Sequence, residues 1–169
     1  MPVLNPDHLL EQADRLIAPL GGGAPRQADL RRAISCAYYA VFHAVLTDAA
    51  DDFVGRTQRH TSRYSLVYRS IDHKRLRSLC EDIRKQTLPD KYSNHVPTGG
   101  FGPDLKNLAI AVIDLQEKRH LADYDPGFRV RASDAGLAVA TARDALVRFR
   151  DATRHQRKAL LSLLVFSPR

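Results

Sequence analysis

Apolar residues recur at three- and four-residue steps along most of the chain, which is the spacing of one face of an α-helix. The clearest stretch is predicted to be helical from Gln27 to Ala49, and its apolar positions are Leu30, Ile34, Ala37, Tyr38, Val41 and Val45. The sequence lacks the alternating β-branched runs with hairpin turns that predict a sheet. The pattern therefore predicts an all-α protein, folded as an antiparallel up-and-down bundle of four to five helices.

Capping residues and loop residues set the expected helix boundaries. Asn5 as N-cap, with Pro6 at the first helical position, predicts a first helix from Pro6 to Leu20, before a glycine-rich turn. Ser133 is the expected N-cap of the last helix, with Asp134 in its first turn. The other predicted elements are helices near Thr61–Ile71 and Lys74–Gln86, a loop over residues 87–103, a helix from about Asp104 to the turn at Asp125–Gly127, and a last helix that reaches Leu164.

The length of 169 residues suits one domain with its own core. We therefore expect a single helical domain over residues 1–169, with the core at about 5–150. Residues 150–169 would be a C-terminal helix extension. Because an apolar segment follows a basic stretch there, we expect its far end to leave the bundle and pack on a partner chain.

Hydrophobic residues at 44% and charged residues at 27% are typical of a soluble globular protein, and we expect no membrane span. The N-terminus lacks the features of a secretory signal, so a bacterial or archaeal cytoplasm is the expected location. Cys36 and Cys80 are isolated from each other and from any Cys/His cluster, so the sequence predicts neither a disulfide framework nor a metal site. No cofactor is predicted.

The net charge of +7 comes mostly from arginine, whose planar guanidinium suits phosphate. This charge favours a nucleic-acid partner without deciding it. A basic run near the end of the chain contains Arg148, Arg150 and Arg154. The run is compatible with contact to an RNA backbone or to an acidic partner, but charge runs on helices are also commonly solvated faces.

One basic residue is predicted to point inward. The apolar stripe of the helix that starts near Asp104 passes through Leu108, Val112 and Leu115, and its next step falls on Arg119. A charge that faces a core requires a carboxylate, a phosphate or a wet cleft. One interpretation is a structural ion pair with Asp123, four residues further on.

The other interpretation is a site for phosphodiester chemistry. Arg119, His120, Asp123 and Tyr124 would meet at the end of this helix, beside the helix that carries Tyr39 and His43. Arginine can stabilise phosphoryl charge, while histidine or tyrosine can exchange protons with an attacking 2′-hydroxyl and a leaving 5′-oxygen, and no metal is required.

Three blocks of the sequence, "RRAISCAYYAVFHAVL", "RHTSRYSLVYRSI" and "LQEKRHLADYDP", resemble the HEPN (higher eukaryotes and prokaryotes nucleotide-binding) superfamily. The similarity spans about residues 28–150 and is greatest to a small prokaryotic branch. It implies an up-and-down helical bundle that dimerises around a cleft. Many members are metal-independent ribonucleases of toxin, antiviral or RNA-processing systems, some act with a nucleotidyltransferase-fold partner, and others serve as noncatalytic binding modules.

The chain departs from the family at one position. Catalytic members carry a histidine four to six residues after the arginine, whereas Tyr124, Asp125 and Pro126 occupy the corresponding places after Arg119. The literal spacing recurs from Arg148 and Arg150 to His155, but these residues lie far into the predicted last helix.

Other histidines could replace the missing proton-transfer group. The candidates are His120, His43 and His60, of which the last two match family positions. The alternatives are structural: His43 would satisfy a buried partner, and His60 would cap a helix.

Two functional hypotheses follow. In the first, the protein acts on RNA, with a catalytic group of Arg119, His120, Asp123, Tyr124 and His43 and an RNA-binding group of Tyr39, Arg32, His60, Arg148, Arg150 and Arg154. Arg32, Ser35, Tyr39 and His43 share one helical stripe, which we expect to face Arg119. In the second, the protein is a noncatalytic adaptor or an antitoxin-like partner-binding module.

Overall fold

The computed structural model describes residues 4–19 and 21–168, and over these residues it contains seven α-helices, two short 3₁₀ turns and no strand. The helices are α1 (Pro6–Ile17), α2 (Gln27–Phe53), α3 (Ser62–Ser70), α4 (His73–Ile83), α5 (Gly102–Tyr124), α6 (Ala132–Asp151) and α7 (Arg154–Val165). The all-α prediction is confirmed. The described residues contain more than the predicted four to five helices: both short helices expected before the loop form as α3 and α4, and the last predicted helix is divided into α6 and α7.

Helix α2 lies at the centre of the bundle and contacts α1, α3, α5, α6 and α7. Small side chains such as Ala33, Ala37 and Ala40 are fully buried along it, which lets neighbouring helices approach closely. Tyr38 is also fully buried. The central position explains why α2 can supply residues to several surfaces of the molecule.

By length and composition alone, α2 is long and apolar enough to cross a membrane. However, 72% of its most apolar window is buried inside the protein. Core helices of soluble proteins share this property, because their apolar residues pack against other helices instead of lipid.

The start of α2 is tied to the turn that follows α5. The side chain of Gln27 both donates to the carbonyl oxygen of Val130, at 2.8 Å, and accepts from the backbone N–H of Val130, at 3.0 Å. Arg31 donates to the carbonyl oxygens of Pro126, at 3.2 Å, and of Phe128. These contacts hold the C-terminal end of α5, which carries Arg119, against the first half of α2.

The predicted caps are partly correct. The side chain of Asn5 accepts a hydrogen bond from the backbone N–H of Asp7 at 3.0 Å, as expected of an N-cap. Helix α1 ends at Ile17, and Leu20 lies outside the described residues. Helix α6 begins one residue before the predicted cap Ser133, because the Asp134 carboxylate accepts from the backbone N–H of Arg131 at 3.1 Å.

The predicted continuous helix from Ser133 to Leu164 is wrong. Ala152 and Thr153 adopt extended ψ angles of 142° and 150°, so α6 ends and α7 starts in a new direction. Thr153 Oγ1 accepts from the backbone N–H of Gln156, and Gln156 Oε1 accepts from the backbone N–H of Thr153. This reciprocal pair is a capping box, which stabilises the first turn of the new helix.

The redirected helix α7 packs on its own chain. Leu160, Leu161 and Leu164 are at most 2% exposed and belong to the main core. The expectation that residues 150–169 extend away from the bundle to pack on a partner chain is therefore wrong for this helix, since its apolar face is already covered.

Candidate functional site

Tyr39 lies at the centre of a polar cluster between α2 and α5. The Nη2 atom of Arg119 donates a hydrogen bond to the Tyr39 hydroxyl at 2.7 Å, and the guanidinium carbon lies 5.3 Å from the centre of the Tyr39 ring. An arginine near an aromatic ring is attracted to the electron-rich ring face. The inward direction of Arg119 and its proximity to the Tyr39 stripe are thus as the sequence predicts.

Asp123 holds Arg119 from the other side. Its Oδ2 lies 2.7 Å from Arg119 Nε, and its Oδ1 accepts a hydrogen bond from the Ser35 hydroxyl at 2.6 Å. The Nε–H is buried and is not aligned for a hydrogen bond, so the pair is mainly electrostatic. Ser35 and Tyr39 therefore orient the two charged residues of α5 from successive turns of α2.

The Arg119 side chain is only 14% exposed, whereas that of Asp123 is 28% exposed. A partly buried guanidinium has lost much of its hydration, which strengthens its interaction with any anion that reaches it. The geometry therefore suits a group that binds a phosphate at the rim of the cluster.

His73 joins the cluster from α4, although the sequence analysis does not select it. Its Nδ1 lies 2.8 Å from the hydroxyl of Tyr38, its ring centre is 4.0 Å from that of Phe42, and it is 5.9 Å from the Tyr39 ring. His73 is the first residue of α4, behind the N-cap Asp72. Its position depends on how α4 docks on α2, which local periodicity does not reveal.

His43 lies beside Tyr39, one turn further along α2. Its ring stacks on the Tyr39 ring with the two centres 5.9 Å apart, and its Nδ1 lies 2.6 Å from the Tyr68 hydroxyl on α3. Tyr68 is another residue that the sequence analysis does not select. The contact matches the structural alternative for His43, a hydrogen-bonded partner in a half-buried position, and at the same time places its imidazole beside Tyr39.

Burial favours the neutral form of both imidazoles. Burial lowers the pKa of His43, and the neighbouring His73 lowers it further. The pKa of His73 is lowered by burial and then by the positive charge of Arg119. A neutral imidazole with a free ring nitrogen can accept a proton, so His43 is suited to act as a general base near neutral pH.

The tautomer of His73 follows from its partner. Burial raises the pKa of Tyr38 far above its usual value, so this phenol stays protonated and can donate to Nδ1 of His73. A neutral imidazole that accepts at Nδ1 carries its proton on Nε2. This arrangement leaves the Nε2–H of His73 as the group that can interact with a ligand.

His120 and Tyr124 form a separate pair on α5. Their ring centres are 5.0 Å apart, both residues are exposed, and Tyr124 also lies 5.6 Å from the Arg119 guanidinium carbon. The structure therefore places Tyr124 at the edge of the cluster. His120 is exposed beside it, on the solvent side of α5.

Two residues of the predicted RNA-binding group lie apart from the cluster. Arg32 is exposed, and it is its neighbour Arg31 that contacts the end of α5. His60 is exposed and does not cap α3, because Thr61 is the N-cap and accepts from the backbone N–H of Tyr64. The structure does not bring His60 together with Arg119.

The three arginines near the end of the chain are divided between two places. Arg148 pairs with Asp104 at 3.2 Å and with Asp144 at 3.5 Å. Arg150 and Arg154 instead line a cavity of about 730 Å³ beside the C-terminal half of α2. His155 is the second residue of α7, in the same basic segment, and is exposed.

Across residues 4–19 and 21–168, no three His, Cys, Asp or Glu side chains are arranged to hold a metal ion. Cys36 and Cys80 are both buried free thiols. The reactive groups that the cluster offers are therefore imidazole, phenol, carboxylate and guanidinium.

The sequence and the fold were compared with protein-family models, curated proteins and solved structures, and no match was found. The functional interpretation of the cluster therefore rests on its own geometry and on the motif similarity of the sequence.

Proposed function

We propose that this protein is a HEPN-like, RNA-directed protein that cleaves RNA without a metal ion at the cluster around Tyr39. The observation that carries the proposal is the position of Arg119, which is held against Tyr39, a ring that also packs against two imidazoles whose pKa values are lowered. The similarity of the three sequence blocks to the HEPN superfamily supports the choice of RNA as the substrate.

The reaction that these groups can perform is an internal transesterification. A neutral histidine accepts the proton of the 2′-hydroxyl, and the 2′-oxygen attacks phosphorus. The bond from phosphorus to the 5′-oxygen breaks, and the leaving oxygen takes a proton from an imidazolium. The products are a 2′,3′-cyclic phosphate and a 5′-hydroxyl, so atoms and protons balance.

His43 and His73 are the residues proposed for the two proton transfers. A charge on His73 disfavours a charge on His43, so simultaneous protonation of the two imidazoles is disfavoured. In the proposed reaction His43 acts as the base, and His73, once protonated, acts as the acid through its Nε2–H. Their presence compensates for the histidine that catalytic HEPN members carry after the arginine.

Arg119 would stabilise the negative charge that develops on the phosphoryl oxygens. Asp123 and Ser35 position Arg119, and Tyr39 holds its Nη2. Because these contacts exist before a substrate binds, the guanidinium needs little reorganisation in the transition state.

The test is cleavage of end-labelled single-stranded RNA in the presence of EDTA. Arg119→Ala is expected to lower kcat/KM roughly 100- to 1,000-fold, as for the loss of one transition-state donor. Arg143→Ala is the matched control, because Arg143 also pairs with an aspartate, Asp14, but on another face of the molecule. Equal cleavage by the Arg119 and Arg143 variants, or no cleavage by the wild type, would refute the catalytic proposal.

A noncatalytic partner-binding module is the second candidate. It is favoured by the near-neutralisation of Arg119 by Asp123 and by the absence of the family's histidine after Arg119. On this proposal the cluster braces α2 against α5, so Arg119→Ala would lower the melting temperature while RNA stays intact. The surface that binds the partner would lie outside α7, whose leucines are buried.

The biological setting that we propose is a toxin or defence system of the cytoplasm. A homodimer, or a complex with a nucleotidyltransferase-fold protein, is the assembly that the HEPN similarity supports. Light scattering on the purified chain distinguishes a dimer from a monomer and does not depend on the cleavage test.

A further inference from the structure

A cavity of about 730 Å³ lies between the C-terminal half of α2, the 3₁₀ turn Arg56–Gln58 and the junction of α6 with α7. Its lining has a surplus of three positive charges. The basic residues are Arg56, Arg59, Arg150, Arg154, Arg157 and Lys158, and the acidic ones are Asp48, Asp51 and Asp52. A concave surface with this excess attracts polyanions.

The acidic residues of the cavity are already paired. Asp51 lies 2.5 Å from Arg59, and it also accepts a hydrogen bond from Tyr64. Asp52 pairs with Lys158 at 3.3 Å, and Asp48 lies 3.9 Å from Arg157. Their negative charge is therefore largely compensated within the cavity wall.

Two arginines remain available to a ligand. Within the part of the chain that the structure describes, Arg154 forms no ion pair, and its side chain is exposed at the start of α7. Arg150 forms a long contact with Asp7 at 3.8 Å, in which both side chains are more than 60% exposed. Such exposed pairs contribute little energy, so Arg150 can exchange Asp7 for a phosphate.

The cavity adjoins the Tyr39 cluster along α2. Thr47 lines the cavity and lies four residues after His43, which is about one helical turn, or about 5.4 Å. At an axial rise of about 3.4 Å per nucleotide, this separation corresponds to about two nucleotides of one strand. A strand bound at His43 would therefore need about two further nucleotides to reach the cavity, past the α3 side chains Tyr68 and Tyr64 that contact His43 and Thr47.

From this geometry we infer that the cavity binds backbone phosphates of single-stranded RNA that flank the phosphate held at Arg119. The inference rests on the proposed function, because the cluster defines where the strand begins. Arg154 and Arg150 make the phosphate contacts, and the apolar wall at Leu146 and Phe149 faces the same space. The cavity adds affinity without taking part in proton transfer.

The experiment measures binding of a labelled single-stranded oligonucleotide with 2′-O-methyl groups, which cannot be cleaved by attack of the 2′-oxygen. Arg154→Glu is expected to weaken binding about tenfold at low salt, and to reduce the slope of log K against log salt by about one. Glutamate at the start of α7 is compatible with the helix, because the N-terminal end of a helix favours negative charge.

Lys106→Glu is the matched control, since it changes the net charge equally and Lys106 is exposed on α5, outside the cavity. It is expected to change binding by less than about twofold. If Arg154→Glu binds as the wild type does, or loses no more affinity than Lys106→Glu, the cavity is not an RNA site. Binding of an acidic peptide by the wild type with no binding of the oligonucleotide would equally overturn the inference.

The two proposals fail in different ways. Binding that depends on Arg154 in a protein that does not cleave RNA would refute the catalytic proposal and retain the cavity. If the wild type cleaves RNA and the Arg154 variant binds the oligonucleotide as tightly as the wild type, the cavity inference is refuted and the catalytic proposal is retained.

Discussion

At the scale of single residues, the cluster is built from buried hydroxyl groups that face imidazoles. Tyr38 contacts His73, and Tyr68 contacts His43, at 2.8 and 2.6 Å. Each contact satisfies a phenol that would otherwise lose a hydrogen bond on burial. The same contacts keep the two imidazoles beside Tyr39, so stability and proposed chemistry depend on the same atoms.

The lowered pKa values of His43 and His73 predict a loss of stability on acidification. In the unfolded chain both residues titrate near 6.5, whereas the folded chain binds the same protons only at lower pH. Below about pH 6.5 the unfolded state therefore binds more protons than the folded state. The free energy of unfolding is greatest above this pH and declines as the pH falls toward the folded pKa values. Thermal unfolding between pH 7.5 and pH 5 measures this decline.

His73→Gln is expected to show a smaller decline than the wild type, because one of the two protonation differences is removed. His120→Gln serves as the control, since His120 is exposed on α5. A His73 variant with the same pH dependence as the wild type would show that this imidazole is not buried as described.

At the scale of elements, the break between α6 and α7 decides which surface the end of the chain covers. The sequence "ATRHQ" contains a threonine followed three residues later by a glutamine, which is the pattern of a capping box. The apolar periodicity on both sides of this pattern conceals the break, because α6 and α7 are each amphipathic. The capping pattern is therefore the local signal that could have located the start of α7.

Thr153→Ala is expected to reduce the free energy of unfolding by about 1 kcal/mol, because the first backbone N–H groups of α7 lose an acceptor. Ser133→Ala is the matched control, since Ser133 is exposed inside α6 and is not its N-cap. Urea unfolding of both variants tests the assignment. A larger loss for Ser133→Ala than for Thr153→Ala would contradict these helix boundaries.

At the scale of the whole molecule, α2 connects the Tyr39 cluster with the basic cavity, the two candidate sites. Its first half carries Ser35, Tyr39 and His43 toward α5, α4 and α3, and its second half supplies the acidic wall of the cavity toward α7. Because α7 lines one side of this cavity and also buries leucines in the core, the fold and the cavity depend on the same helix.

Leu164→Ala is expected to lower the free energy of unfolding by about 2–5 kcal/mol, since Leu164 is fully buried and its truncation leaves a cavity. Phe166→Ala, two residues later, is the control because Phe166 is 62% exposed. Urea unfolding measures both. If Leu164→Ala lowered the free energy of unfolding as little as Phe166→Ala does, α7 would not be part of the core.

The sequence alone determined the helical class, the apolar stripe of α2, the Asn5 cap and the inward direction of Arg119. Each of these depends on residues within a few turns of one another, where the 3.6-residue period and side-chain capping act directly. The contact of Arg119 with Tyr39 was also predictable, because the stripe of α2 that carries Tyr39 was expected to face Arg119 on α5.

Only the tertiary structure decided that His73 and Tyr68 reach the Tyr39 cluster, that Arg148 separates from Arg150 and Arg154, and that α7 folds back on α2. These outcomes depend on helices that are distant in sequence and dock through many small contacts. A local pattern gives the face that a helix buries, but the neighbour that covers this face is chosen by the packing of the whole chain.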